Sequence, residues 1–220
     1  MRLVGLIGNP VSGSLSPQMH NAAFAALALD WTYVLLPTQD EALEQCAAGL
    51  VELGFAGANV TTPYKLDVRA FCETEVPSVN TLIVRDGKVE GHSTDAAILA
   101  GLSAERPVIL GDGGSAAAFR HARPDARMFS RRGDWPPDAG DADLVVNATS
   151  ERDEVLVELV PGQTLIDLPY PETATALAAR KTGADVVDGL DVLVAQGAAS
   201  FELWTGMPAP VDVMREAVRP

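Results

Sequence analysis

The chain has 220 residues, with 30 acidic against 16 basic residues and a formal net charge of −14. That balance argues against a nucleic-acid-binding surface, because neutralising phosphates needs clustered lysine and arginine. No apolar run reaches the roughly 18 residues of a membrane helix. At 47% hydrophobic the chain can bury a sizeable core, as one large domain or two of about 100 residues each.

Met1 to Pro10 reads as a strand and its loop rather than a signal peptide. Leu3–Ile7, Thr32–Leu36 and Ala56–Val60 read as strands, with helices at Gln18–Leu29 and Glu41–Leu53 between them. Ser16-Pro17 and Thr62-Pro63 each set a hydroxyl N-cap before proline at a first helical position, which puts Lys65 in the first turn of a helix. Asp86-Gly87, between Leu82–Arg85 and Lys88–Glu90, is a hairpin signal. Asp95–Leu102 reads as a helix. A second α/β pattern follows, with strands at Pro107–Leu110, Arg127–Phe129, Leu144–Val146, Thr164–Asp167 and Val186–Val187. Its helices run from the Gly111 turn to about Arg123, over Ala174–Thr182, from about Leu190 to Trp204, and over Val211–Val218. Alternating βα units imply a mainly parallel, doubly wound sheet. Cys46 and Cys72 are too few for a disulfide framework and point to a reducing, cytoplasmic location.

Five of the thirteen arginines, Arg120, Arg123, Arg127, Arg131 and Arg132, fall within thirteen residues. They form either a solvated surface stretch or a small-anion site. Gly111-x-Gly113-x-x-Ala116 follows a strand and opens a helix, the context of a dinucleotide fingerprint, although many βα turns are glycine-rich. About twenty residues beyond the first glycine, an NAD site has an acid for the ribose hydroxyls and an NADP site has arginine. Arg131 and Arg132 stand there, so a bound dinucleotide is expected to be NADP. Asp112 sits inside the turn, where a carboxylate repels pyrophosphate unless it points away. Gly133–Asp143 holds two prolines, two glycines and four aspartates in eleven residues, and is expected to be a loop in place of a crossover helix.

In the first half, Ser14 and Ser16 beside a helix N-terminus make a small-carboxylate site, or Ser16 simply caps the helix. Asn59-Val-Thr61-Thr-Pro-Tyr-Lys65 follows a strand end, the ligand face of an open α/β sheet. Lysine can lose a proton where arginine cannot, so Lys65 is either a catalytic group or an ordinary surface lysine. Asn80 and Asp95 flank the hairpin. Gln196 lies mid-helix among small and apolar residues, where burial demands a specific partner.

Taken together, these segments resemble the shikimate dehydrogenase family. The matching motifs are Gly8-Asn-Pro10, Ser14-Leu-Ser-Pro-Gln-Met-His-Asn21, Gly57-Ala-Asn-Val-Thr-Thr-Pro-Tyr-Lys65 and Val79-Asn-Thr81. They continue with Thr94-Asp95, Gly111-Asp-Gly-Gly114, Asn147-Ala-Thr-Ser150, Asp167-Leu-Pro-Tyr-Pro171, Gly189-Leu-Asp-Val-Leu-Val-Ala-Gln196 and Phe201-Glu-Leu-Trp-Thr-Gly206. The resemblance implies reversible NADP-dependent reduction of 3-dehydroshikimate to shikimate. It assigns Ser14 and Ser16 to the substrate carboxylate. Thr61, Asn80, Tyr170 and Gln196 go to the ring hydroxyls, with Asn59 in the same substrate set. Lys65 and Asp95 become the acid/base pair. Gly111, Gly113, Gly114, Arg131, Thr149, Leu168 and Gly189 match cofactor positions, and Arg132 and Asn147 join them; no metal is implied. The expected fold is α/β: a substrate domain over 1–100 and about 197–220, and a trimmed Rossmann-like NADP-binding domain over 101–196. The expected partner is a shikimate-like hydroxy acid, with no nucleic acid and no membrane, in a form compatible with a homodimer.

The chain departs from the family in three places. Gly91-His-Ser-Thr-Asp95 replaces the usual Gly-x-Asn-Thr-Asp, Asp112 replaces alanine, and the Gly133–Asp143 stretch replaces a full crossover. Quinate or an aminated relative of shikimate is an alternative substrate. A binding or regulatory module that has lost efficient catalysis is an alternative class.

Overall fold

The structure is a computed structural model and describes residues 1–219. β1 (Arg2–Gly8) is apolar along its centre and pairs in parallel with β2 (Trp31–Pro37) on one side and β3 (Phe55–Val60) on the other. α1 (Ser16–Ala26) and α2 (Leu43–Glu52) make the crossovers. β4 (Thr81–Arg85) and β5 (Lys88–His92) add an antiparallel hairpin, giving the order β2-β1-β3-β4-β5. Asp86 and Gly87 turn it with φ of +53° and +74°, as a tight two-residue hairpin requires. Ile7, Leu50, Val60, Val68 and Leu82 are buried together in the core of this sheet.

A second sheet is parallel throughout. β6 (Pro107–Leu110), α3 (Gly114–Ala122) and β7 (Arg127–Phe129) open it, followed by β8 (Leu144–Asn147), β9 (Thr164–Asp167), α4 (Ala174–Thr182) and β10 (Asp185–Val187). Their order is β10-β9-β8-β6-β7. Its strands are apolar on both faces, as a covered parallel sheet requires. Val108, Leu110, Val145 and Leu165 pack on the face of α4, and Ile109, Leu144, Val146 and Ile166 on that of α3. α5 (Gly189–Thr205) and α6 (Val211–Val218) complete the chain, and α6 packs on α1. Met1–Asp95 and the residues from Val194 onward form one compact unit; Ala96–Leu193 form the other.

Three local expectations are corrected. No α-helix follows Pro63: a turn carries Lys65 into a 3₁₀ helix at Asp67–Phe71. Tyr64 dictates this, because its buried hydroxyl lies 2.6 Å from the Thr38 carbonyl and 2.8 Å from Asp40 Oδ1, a tertiary anchor that overrides the local Thr-Pro signal. Asp95–Leu99 is likewise a 3₁₀ helix, shorter than the expected segment. Ser16 does not cap α1: Leu15 occupies the N-cap position, and the Ser14 hydroxyl accepts the Ser16 N–H at 3.2 Å.

The Gly133–Asp143 stretch is a loop, and so are residues 148–163, for which the sequence holds no comparable signal. Both stand in for missing crossover helices. Ala139, Ala142, Leu156 and Leu159 from these loops are buried against β6, β8 and β9 on the face of α4. No helix among the described residues is long and apolar enough to cross a membrane.

Candidate active site

In the first unit the chemistry collects at one end of the sheet. β1 and β3 are parallel, so their C-terminal ends coincide, and the Asn9 N–H donates to the Thr62 carbonyl at 3.2 Å. β4 runs antiparallel to β3 and therefore starts at that end, with Asn80 just before it. β5 returns there and delivers Thr94 and Asp95 just beyond His92. Topology thus assembles Lys65, Asn80 and Asp95, which are 15 and 30 positions apart.

Lys65 Nζ donates to both oxygens of Asp95, at 2.8 and 2.7 Å, with the two side chains only 12% and 9% exposed. Asn80 Nδ2 lies 2.8 Å from Asp95 Oδ1, 2.9 Å from Thr94 Oγ1 and 3.3 Å from Gln196 Oε1. Asn80 Oδ1 accepts the Thr94 N–H at 2.7 Å. The carboxylate is held from two sides, and the ammonium projects from an anchored turn. Such a pair can donate a hydrogen bond to a ketone oxygen and supply a proton as an alkoxide develops, with the carboxylate balancing the charge.

Asn59 differs from its expected role as a substrate ligand. It is 3% exposed, accepts from the Tyr33 hydroxyl at 2.9 Å, and donates toward Asn80 O, Thr81 Oγ1 and Ser200 Oγ at 2.9–3.1 Å. Its amide is spent inside the unit, where it builds the floor beneath Asn80. Behind it, His20 stacks parallel on Tyr33 at 4.7 Å and is fully buried, which lowers its imidazole to about pH 3 and keeps it neutral. Burial and the Asp40 hydrogen bond push the Tyr64 phenol up to about 12, so it remains a donor.

Ser200 was missed by sequence reasoning. Its hydroxyl lies within 3.1 Å of Asn59, Thr81 and Thr94 and donates to the Gln196 carbonyl. The available signal was its spacing: Gln196 and Ser200 are one helical turn apart, on one face of α5. Ser14 and Thr61 are half-buried and Ser16 is buried, all beside the loops after β1 and β3. Tyr170 belongs to the other unit, beyond β9, and is half-buried.

In the second unit the glycine turn leads into α3. Gly111 has φ of +118°, and a Cβ there would sit 3.0 Å from the Ala148 carbonyl, so only glycine fits. Gly113 occupies the N-cap position of α3, no side chain caps the helix, and nothing lies within 4 Å of where its Cβ would be. The first-turn N–H groups of α3 and the open space above them suit a pyrophosphate. Asn147 is wholly buried. It donates to Asp167 at 2.7 Å and accepts from the Thr149 N–H and hydroxyl, so it shapes the Thr149 loop from beneath rather than lining it. Burial raises the Asp167 carboxyl above its usual range. Gly189 is fixed by packing, since a Cβ would meet the Pro169 carbonyl at 2.3 Å; Leu168 is half-buried on the segment before it.

Arg131 and Arg132 are exposed at the end of β7, and both are paired with carboxylates. Arg131 meets Glu154, and Glu151 at 3.6 Å. Arg132 takes Asp112 in a two-pronged contact at 2.7 and 2.5 Å, and this holds the Asp112 carboxyl below its ordinary range. Asp112 therefore faces Arg132. Among the described residues no cluster of His, Cys, Asp and Glu could hold a metal ion.

The model of the shikimate dehydrogenase substrate binding domain matches residues 6–82, and that of the shikimate 5′-dehydrogenase C-terminal domain matches residues 189–219. The shikimate dehydrogenase (NADP(+)) of Anaeromyxobacter sp. (strain Fw109-5) is 39% identical over 265 residues, covering 98% of this chain and 95% of the relative. That alignment is longer than the 220 residues here, so this chain follows its relative through deletions. The crystal structure of shikimate 5-dehydrogenase from Thermus thermophilus, in complex with NADP(H) and shikimate, superposes with a TM-score of 0.87 at 29% identity, covering 100% of this chain and 99% of that one. The enzyme from Listeria monocytogenes, in complex with shikimate and NAD, gives 0.85 at 28% identity over 99% and 96%. With this near-complete coverage on a two-unit α/β fold, the chain belongs to the shikimate dehydrogenase family.

Proposed function

We propose that the chain reversibly reduces 3-dehydroshikimate to shikimate with NADPH. The observation that carries this reading is Lys65 Nζ bonded to both Asp95 oxygens beside Asn80, at the ligand end of the first sheet. Met1–Asp95 and the residues from Val194 onward bind the substrate, and Ala96–Leu193 bind the cofactor. Bound NADPH supplies the hydride. Lys65 donates its hydrogen bond to the ketone oxygen and passes a proton to the forming alkoxide, while Asp95 holds the ammonium in place and Asn80 holds Asp95. In the oxidative direction Lys65 takes the hydroxyl proton back. Ser14 and Ser16 hold the carboxylate, and Thr61 and Gln196 hold ring hydroxyls, while the buried Asn80 acts through Asp95. Gly111, Gly113, Gly114, Thr149, Leu168 and Gly189 form the cofactor cradle, with Arg131 and Arg132 toward the adenosine ribose.

The test is an activity panel of shikimate and quinate against NADP and NAD, read by the absorbance of reduced nicotinamide. Turnover is expected to be fastest with shikimate and NADP. No turnover in any of the four combinations would sink the enzyme reading, and shikimate binding without turnover would mark a binding module. Two further parts of the reading have their own checks. Light scattering tests a homodimer. A cytoplasmic location accords with Cys46 and Cys72 both being free thiols, and fractionation of the source cells tests it.

A further inference from the structure

The one acid in the glycine turn faces one of the two arginines that the cofactor reading needs. β6 and β7 are adjacent and parallel, with Leu110 opposite Phe129, and the Gly111 N–H donates to the Phe129 carbonyl at 2.8 Å. The next residues on each side are thereby set face to face. Arg132 Nε and Nη2 donate to Asp112 Oδ2 and Oδ1 at 2.7 and 2.5 Å, the fork-on-carboxylate geometry that also suits phosphate. The Ser130 side chain hydrogen-bonds the same carboxylate. Arg131 is engaged by Glu154 and Glu151 and lies over the Trp135 ring at 5.7 Å. Two guanidiniums therefore face three carboxylates, and this corner carries no net positive charge. A 2′-phosphate brings almost two negative charges to it, whereas a 2′-hydroxyl brings none.

We propose that Asp112 is a specificity-determining residue: it competes with the cofactor's 2′-phosphate for Arg132 and so narrows the preference for NADP over NAD. This rests on the cofactor reading above. NADP must exchange a carboxylate for a phosphate on Arg132, while NAD leaves the pair intact. Arg132 is 81% and Asp112 39% exposed, so water replaces much of what the exchange breaks. Asp112 therefore weakens NADP binding without preventing it.

Calorimetric titration of NADP and of NAD into the purified chain and its Asp112→Asn variant tests this. Asparagine keeps the shape of the side chain and removes its charge. The variant is expected to bind NADP about five-fold more tightly, the scale of one exposed ion pair, with NAD changed by less than about two-fold. In the Asp112→Asn background, Arg132→Ala is expected to erase the gain. Unchanged or weaker NADP binding in Asp112→Asn overturns the proposal. So does equal tightening of both cofactors, which places the effect at the pyrophosphate, and so does a gain that survives Arg132→Ala. If neither protein binds either dinucleotide, the cofactor reading itself fails, and this inference falls with it.

Discussion

The two units use the same place, the C-terminal ends of parallel strands, in opposite ways. In the first, Lys65, Asp95, Asn80, Asn59 and Ser200 form a connected and largely buried network in which each polar group satisfies another. In the second, Arg131 and Arg132 stand in solvent, paired with Asp112, Glu151 and Glu154. A buried network fixes geometry before any ligand arrives, because breaking it strands polar groups away from water. Exposed pairs fix little, because water replaces what is lost. A group that moves a proton needs the first arrangement. Charges that must exchange partners on each binding event are served by the second.

The largest effect lies at the first site. Lys65→Ala is expected to lower the rate by about 10²–10⁴, the contribution of a positioned proton donor, while circular dichroism still shows a folded chain. A loss of only a few-fold would demote Lys65 to a bystander and dissolve the contrast. The second unit is not loose throughout, however. Leu159 sits in a segment without helix or strand and is 1% exposed, because that loop stands in for a crossover helix over β8 and β9. Leu159→Ala should destabilise the fold by about 2–5 kcal/mol in urea unfolding, as for a core leucine. A surface-like cost would mean that the trimmed loops only cover the sheet and do not support it.

Ser200→Val tests the network away from the reacting groups. It removes a partner from Asn59, Thr81 and Thr94 together, and should cost about 1–3 kcal/mol in unfolding free energy. Ser200 also shows where the sequence stops being readable. The strands Pro107–Leu110, Arg127–Phe129 and Thr164–Asp167 are legible to the residue, because β-branched and apolar runs end there at turn signals. The residue types of the site are legible through family motifs. Their mutual contacts are not: Asn80 and Gln196 are 116 positions apart, and only an antiparallel hairpin and a returning helix bring them together. The turn at Lys65 reads as a helix for the same reason, since the Tyr64 hydroxyl is anchored 24 and 26 positions back in the chain.

Acid should find the first unit through His20. Its imidazole titrates at about 3 when folded and at 6.5 unfolded, because burial disfavours the charged form. Between those values the unfolded chain holds the extra proton, so stability is complete above 6.5 and is lost as pH falls toward 3. From pH 7 to pH 5 the loss should be about 2 kcal/mol in urea unfolding, and His20→Phe should remove it. Asp143 has a carboxyl held below the ordinary range, so it loses its contribution only in stronger acid. Asp167, raised by burial, works in the opposite direction, so the decisive quantity is the difference between the wild-type and His20→Phe slopes. Equal slopes would mean that His20 takes up its proton without unfolding the unit around it.

The smallest expected effect on stability is the sharpest test of the contrast. Asp112→Asn breaks a two-pronged ion pair with distances as short as those of the buried Lys65–Asp95 pair, yet its unfolding curve should superimpose on that of the wild type, because both partners are open to water. The same substitution is expected to change NADP affinity. An interaction that is silent in folding and visible in binding is one that the ligand can enter by exchange. If Asp112→Asn instead shifts the unfolding midpoint as far as Ser200→Val does, the pair is structural. Arg132 would then be held in place rather than on offer, and the two units would be built alike.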